Sequence, residues 1–212
     1  LAILNDKIVN INPVRPETAI IKKAVSLLKN RRLVVFPTET VYGIGALYGD
    51  EKAENKLYEA KGRGKDKPFS IHISNVNIIK EIGCQIDKRA ETIMNKYWPG
   101  PVTIILSSKS SSGLKYGFRF TEHPVALSLI DYCGGALIAS SANIHTHISP
   151  VTAFEAYRQL GDKVDLILDA GTTGYAKDST VIDLSDENDI AVLREGAISK
   201  QEILKILKEV DN

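Results

Sequence analysis

Two hydrophobic periods alternate along the chain, and this alternation limits its fold more than any other feature. Residues 17–32 carry Ile21, Ala24, Val25 and Leu28 at the spacing of one helical face. Residues 33–37 (LVVFP) follow as a short apolar run stopped by proline, the pattern of a buried strand. The sequence then repeats the scheme. Residues 51–61, with Ala53, Leu57 and Ala60 on one side, read as a second amphipathic helix, and FSIHIS (69–74) as a strand. Helices are expected near 76–82, 88–98, 124–133 and 152–160, and strands at 102–106, 116–120, 136–140, 164–169, 179–184 and 190–194. A last helix opens on Ser199 and Glu202, a capping box, and its pattern buries Ile203, Leu207 and Val210. Strands interleaved with helices make the class α/β. Late strands with no helix between them make the sheet mixed rather than wholly parallel. No internal repeat and no long Pro/Ser/Gly linker divides the 212 residues, so one domain, residues 1–212, is expected. The stretch SSKSSSG (107–113) reads as a mobile surface loop.

Composition excludes several classes. With 43% hydrophobic and 25% charged residues the chain is neither disordered nor fibrous. Its net charge is +1, so any affinity for nucleotides or RNA must come from a local cluster. The two cysteines, Cys84 and Cys133, fit neither a metal site nor a disulfide framework. No apolar run approaches the roughly 18 residues of a membrane helix, and LAILNDKIVN lacks the apolar stretch of a signal peptide. A cytoplasmic protein without membrane contact is expected. Leu1 in place of Met reads as a trimmed or alternative start.

Five segments place polar groups where ligands bind. PTETVYGIG (37–45) reads as a polar, then glycine-rich loop after a buried strand. Thr38, Glu39, Thr40 and Tyr42 offer hydrogen-bonding groups, and Gly43 and Gly45 allow close backbone approach. It is neither a Walker loop nor a dinucleotide fingerprint, and a simple chain turn is the plain alternative. KGRGKDK (61–67) puts four cations in seven residues, suited to phosphate unless it is only a solvated basic turn. His72 shares the polar face of its strand with Ser70 and Ser74, opposite Phe69, Ile71 and Ile73. In YGFRF, Arg119 and Gly117 lie opposite Tyr116, Phe118 and Phe120; a strand arginine needs water, a salt-bridge partner or a bound anion. ASSANIHTHISP (139–150) ends a strand in small hydroxyl residues that leave room for a ligand. His145-x-His147 has no third metal ligand at usable spacing, and no GxSxG elbow exists, so neither a metal site nor a serine triad is expected.

Taken in order, PTETVYGIG, EAKGRGKDKPFSIHI, SSAN, DSTVID and LREG resemble the YrdC-like family of threonylcarbamoyl-AMP synthases, in its short single-domain form. The likeness runs from about Val34 to the C-terminus, and Lys61-x-Arg63 with Ser141-x-Asn143 is its most specific part. The resemblance implies an open, twisted, mixed β-sheet flanked by helices around a positively charged cleft. It implies an enzyme, an L-threonylcarbamoyladenylate synthase of the nucleotidyltransferase type. L-threonine would be carboxylated by bicarbonate, and the carbamate would attack the α-phosphate of ATP and release pyrophosphate. Mg²⁺ would accompany the ATP. Partner transferase proteins would then pass the group to adenosine beside the anticodon of ANN-decoding tRNAs.

Carried over by the resemblance, Lys61 and Arg63 stabilise charge in catalysis. ATP would meet Arg63, Lys67, Lys115, Ser141, Asn143, Ser149 and Arg194, and threonine would meet Thr40, His72, Arg119, Ala139, Ser179 and Thr180. The chain departs from the pattern at Gly64, where proline usually follows KxR, and at Ser140, where proline usually opens PSAN. It departs also at Lys115, usually threonine, at Glu195 in LREG, and in the two histidines after Asn143. The alternative is a non-catalytic double-stranded RNA or tRNA-binding module of the same fold. Against more than weak RNA binding, the cations lack the interleaved aromatics that stack on bases.

Overall fold

The computed structural model describes residues 6–109 and 113–208. In chain order its elements are β1 (Ile8–Asn10), α1 (Thr18–Lys29), β2 (Val34–Phe36), β3 (Gly43–Leu47), α2 (Glu51–Lys61), β4 (Ser70–Ile73), α3 (Asn77–Glu81) and α4 (Lys88–Tyr97). They continue as β5 (Val102–Ser107), β6 (Lys115–Arg119), α5 (Pro124–Tyr132), β7 (Ala136–Ser141), α6 (Ala153–Leu160), β8 (Leu166–Asp169), β9 (Thr180–Asp183), β10 (Ala191–Arg194) and α7 (Lys200–Lys208). The strands join in one sheet, in the order β1-β8-β2-β3-β7-β4-β6-β5-β9-β10. The sheet is mixed: β2 and β4 pair in parallel with β8 and β6, while β3 and β4 flank β7 antiparallel.

Local chemistry fixes the elements that matter for the site. The Asp50 carboxylate accepts from Lys52 N and Ala53 N and starts α2, and Gly62 at φ 60° stops it. That stop turns the cationic segment 61–67 away from the helix axis. At the far end Ser199 Oγ accepts from Glu202 N at 3.2 Å, and Glu202 Oε2 accepts from Ser199 N at 3.2 Å, so the capping box forms as read. Ile203 and Leu207 are buried as expected, whereas Val210 lies outside the described residues, as do residues 110–112 of the 107–113 segment.

The two halves of the sheet are covered differently. Val34 and Phe36 of β2 pack with Ile21, Leu28, Val125 and Leu129 of α1 and α5. Val35 packs on the other face with Leu57, Ala153 and Ala156 of α2 and α6. Both faces are therefore buried, which is why β2 reads as an unbroken apolar run. In the other half Ile71, Ile104, Phe118 and Ile182 pack with Ile93, Met94, Ile203 and Leu207 of α4 and α7. Their alternate neighbours in β4, β5, β6 and β9 point to the opposite face, where no comparable apolar layer covers them.

Two sequence expectations need correction. β1 was not expected; it is three residues long and stands at the sheet margin, paired in parallel with β8, too short to carry a period. The glycine-rich run is not a loop, because residues 43–47 form β3, between β2 and β7. The Phe36 ring lies over this strand and occupies the space of the missing side chains: a Cβ on Gly45 would fall 2.9 Å from Phe36 Cε1. Gly45→Ala should therefore destabilise the fold by about 1–3 kcal/mol through overpacking. The denaturant midpoint measures this, and an unchanged midpoint would contradict the packing of Phe36 on β3.

Candidate functional site

The uncovered sheet face is the floor of a cavity of about 470 Å³. Alternation directs Ser70 and His72 of β4, Gly117 and Arg119 of β6, Thr103 and Ile105 of β5, and Val181 and Asp183 of β9 into it. Register places His72 beside Arg119, and Arg119 beside Thr103. The rim comes from three distant segments: Arg63, Lys67 and Pro68 after α2, Ala139–Ser141 at the end of β7, and Asp178, Ser179 and Arg194 around β9 and β10. Five cationic side chains line the space (Arg63, Lys67, Lys115, Arg119 and Arg194) against three carboxylates (Asp66, Asp178 and Asp183).

The charges differ in how they are held. Arg63 donates from Nε to Lys67 O at 2.8 Å and from Nη2 to Pro68 O at 3.1 Å, with its guanidinium 5.0 Å from the Phe69 ring centroid. These contacts shape the cationic segment as well as charging it. Arg194 donates from Nε to Ser179 O and from Nη2 to Ser179 Oγ, both at 3.0 Å. Ser179 Oγ also lies 3.0 Å from Thr103 Oγ1. Lys115 pairs with Asp183 at 3.4 Å and stays half exposed.

Arg119 is buried. Its Nη2 donates to Glu39 Oε1 at 2.7 Å and to Thr40 Oγ1 at 2.6 Å, while Thr121 Oγ1 donates to Glu39 Oε2. The plain explanation of a strand arginine, a salt bridge, is therefore present. Yet Arg119 Nε and His72 Nδ1 are both buried without a hydrogen-bond partner. Two such atoms on neighbouring strands, in residues that line one cavity, leave hydrogen-bonding capacity that the chain itself does not satisfy. Burial, reinforced by Arg119, pushes the His72 pKa down to about 3, so the imidazole is neutral.

Of the residues singled out in sequence, Arg63, Lys67, His72, Lys115, Arg119, Ala139, Ser141, Ser179 and Arg194 all line the cavity. Five others do not. Lys61 was expected to face phosphate; instead it is 1% exposed, and its Nζ donates to Ser141 O at 2.5 Å, Asn143 O at 2.6 Å and Asn143 Oδ1 at 3.1 Å. Its donors are occupied by the chain, and burial, with Arg63 nearby, pushes its pKa down to about 7. Asn143 completes the same knot, accepting from Ser141 Oγ at 2.6 Å and donating to His147 O at 2.5 Å. Thr40 reaches the site through Arg119 and through Thr38, a lining residue whose Oγ1 lies 2.9 Å from its own. Ser149 acts through Asp178, donating to its two carboxylate oxygens at 3.0 and 3.1 Å. Thr180 faces away from the floor, where its Oγ1 donates to Ile198 O at 2.5 Å and accepts from Gly196 N at 3.0 Å.

Sequence reasoning missed Asp178, Thr103 and Asp183 among the lining residues. Alternation within VTIIL and STVID could have found Thr103 and Asp183; Asp178 lies outside any strand and gives no such signal. The departures from the family pattern fit the structure. Glu195 Oε2 accepts from Lys200 N at 3.0 Å, and Ser140 lines the cavity. The glycine of LREG is required, since a Cβ on Gly196 would lie 2.2 Å from Asp178 O. Among the described residues no group of three His, Cys, Asp or Glu could hold a metal ion.

The chain is similar in sequence and fold to known proteins. The Sua5/YciO/YrdC family model, described as "Telomere recombination", matches residues 26–196. Threonylcarbamoyl-AMP synthase of Bacillus subtilis is 36% identical over 195 residues, covering 88% of this chain and 56% of that protein. The chain thus spans little more than half the length of that relative. A putative threonylcarbamoyl-AMP synthase of Methanocaldococcus jannaschii is 34% identical over 213 residues, covering 95% of this chain and 99% of its own. Among solved structures, Pyrococcus abyssi Sua5 complexed with L-threonine matches with a TM-score of 0.87 at 36% identity, over 94% of this chain and 60% of that one.

The neutral imidazole has a measurable consequence. Unfolded His72 titrates near its ordinary 6.5 and the folded residue near 3. Below pH 6.5 the unfolded chain takes up a proton that the native state refuses, so stability falls with pH by up to ~1.4 kcal/mol per unit. His72→Gln should flatten this limb in denaturant melts between about pH 6 and pH 4. Equal slopes in the two proteins would contradict the neutral, buried imidazole.

Proposed function

The chain belongs to the Sua5/YciO/YrdC family, and from that premise we propose that it makes threonylcarbamoyl-AMP and pyrophosphate from L-threonine, bicarbonate and ATP. One observation carries the reading: a single cavity holds partly solvated cations toward its rim and two buried, unpartnered polar atoms, Arg119 Nε and His72 Nδ1, on its floor. A triphosphate suits the first feature and an amino acid the second.

At the floor Arg119 Nε–H meets the threonine carboxylate and the neutral imidazole of His72 hydrogen-bonds the same substrate, beside Ala139 and Ser179. The threonine amine, once deprotonated, adds to the carbon of bicarbonate, and water leaves to give the carbamate. A carbamate oxygen then attacks the α-phosphorus, and pyrophosphate departs with the bond electrons. Negative charge grows on the phosphoryl and pyrophosphate oxygens, where Arg63, Lys67, Lys115 and Arg194 line the wall. Ser141 lines the same wall with its hydroxyl donated to Asn143, while Lys61, Asn143 and Ser149 act by holding lining groups in place. Mg²⁺ arriving with ATP would supply charge neutralisation on the phosphates, with Asp178 and Asp183 the nearby carboxylates that could assist. The donor set fits that mode, because the lining carboxylates are dispersed among the cations, Asp178 beside Arg194 and Asp183 beside Lys115, and no three-ligand cage forms among the described residues.

Threonine as substrate draws support from the Pyrococcus abyssi complex; passage of the threonylcarbamoyl group to tRNA by partner proteins is part of the same proposal. No helix among the described residues is long and apolar enough to cross a membrane. Two free cysteines suit a reducing cytoplasm.

Pyrophosphate release should require threonine and bicarbonate together. RNA binding without this turnover would favour the binding-module alternative and sink the enzyme reading. Arg63→Ala should lower kcat/KM by roughly 10²-fold, since it removes a transition-state cation and loosens the 63–68 segment. Circular dichroism should show an intact fold; normal turnover by the variant would contradict the role given to Arg63.

A further inference from the structure

Glu39 does not line the cavity, yet its carboxylate is buried and committed at both oxygens, to Arg119 Nη2 and to Thr121 Oγ1. A buried ion pair of this kind is weak evidence for stability, because desolvation offsets most of the attraction. Its effect on the cavity is clearer. Lys115 and Arg194 have side chains 53% and 45% exposed, whereas the Arg119 side chain is 6% exposed and would act on a ligand at low local dielectric. An uncompensated guanidinium there would be the strongest phosphate attractor in the cavity. Glu39 cancels that excess while leaving Arg119 Nε free to donate.

We infer that Glu39 is a specificity-determining residue: by neutralising Arg119 it keeps polyanions off the inner floor and reserves that end for a ligand recognised through directed hydrogen bonds, a zwitterionic amino acid. The inference rests on the proposed activity, whose amino-acid end it describes. A carboxylate of one charge gains from the Arg119 Nε–H bond whether or not the guanidinium carries excess charge. Pyrophosphate or a triphosphate gains mainly from net charge, which the Glu39 carboxylate removes. Thr121 has a separable part, since it holds the carboxylate in place without altering its charge.

The test is calorimetric titration of threonine into the protein, with and without pyrophosphate. Wild-type protein should bind threonine with an affinity that pyrophosphate hardly changes. In E39Q, an isosteric change whose amide can still serve Arg119 and Thr121, pyrophosphate should compete and weaken threonine binding by roughly tenfold. T121V keeps the charge, so it should bind threonine more weakly without acquiring this competition. Threonine binding by E39Q that stays insensitive to pyrophosphate, or equal new competition in T121V, would overturn the inference. Should E39Q not fold, a second pair decides: R119Q leaves Glu39 as an uncompensated anion and should lose threonine binding, and R119Q/E39Q should regain part of it. An equal or deeper loss in the double variant would overturn the charge-sorting role. Failure of wild-type protein to bind threonine at all would instead remove the proposed activity.

Discussion

One buried lysine amine ties the site together. Lys61 ends α2 and donates to the backbone of Ser141 and Asn143, some 80 positions away in the chain, and so pins the end of β7 against the start of the cationic segment. That tether adds to the β4–β7 pairing, where Ser70 faces Ala139, and to the His145 N–H bond to Lys61 O, in fixing the wall bearing Arg63 and Lys67 against the wall bearing Ala139–Ser141. The carbonyl oxygens it binds are themselves screened from water, so they depend on it in turn. The paired Lys61-x-Arg63 and Ser141-x-Asn143 signatures thus read as one structural knot, with only Arg63 and Ser141 facing the cavity.

The site exists because the sheet is only half covered on one side. Toward β2, helices α1, α2, α5 and α6 bury both faces. Across β4, β6, β5 and β9 helices bury one face, and the polar alternates on the other become a binding floor. Division of labour follows from depth. Groups near the rim keep contact with water and can answer a large, highly charged ligand, while the deepest groups, His72, Arg119 and Glu39, are desolvated and work through geometry. A reaction joining a small zwitterion to a nucleoside triphosphate needs both environments within one cavity.

Much of this was legible in the residues. The unbroken apolar run marked β2 as buried, and the alternation in β4 and β6 gave the correct faces for His72 and Arg119. The helix read at 51–61 matches α2 at both ends, because Asp50 and Gly62 are strong caps. What failed did so for physical reasons. Gly43 and Gly45 signal a loop to any local rule, and it is pairing with β2 and with the distant β7, under the Phe36 ring, that makes them a strand. Lys61 looked like a phosphate ligand because charge and spacing do not reveal where a side chain is buried. The pairing of Glu39 with Arg119 joins residues 80 positions apart and leaves no trace in either segment.

The central claim is that one cavity accepts an amino acid at its buried floor and phosphates toward its rim. A crystal structure with L-threonine and α,β-methylene-ATP tests this directly. The account requires the threonine carboxylate within hydrogen-bond reach of Arg119 Nε and His72, and phosphate oxygens on Arg63, Lys67 or Arg194. Phosphates seated on Arg119, or either ligand bound outside the cavity, would contradict it.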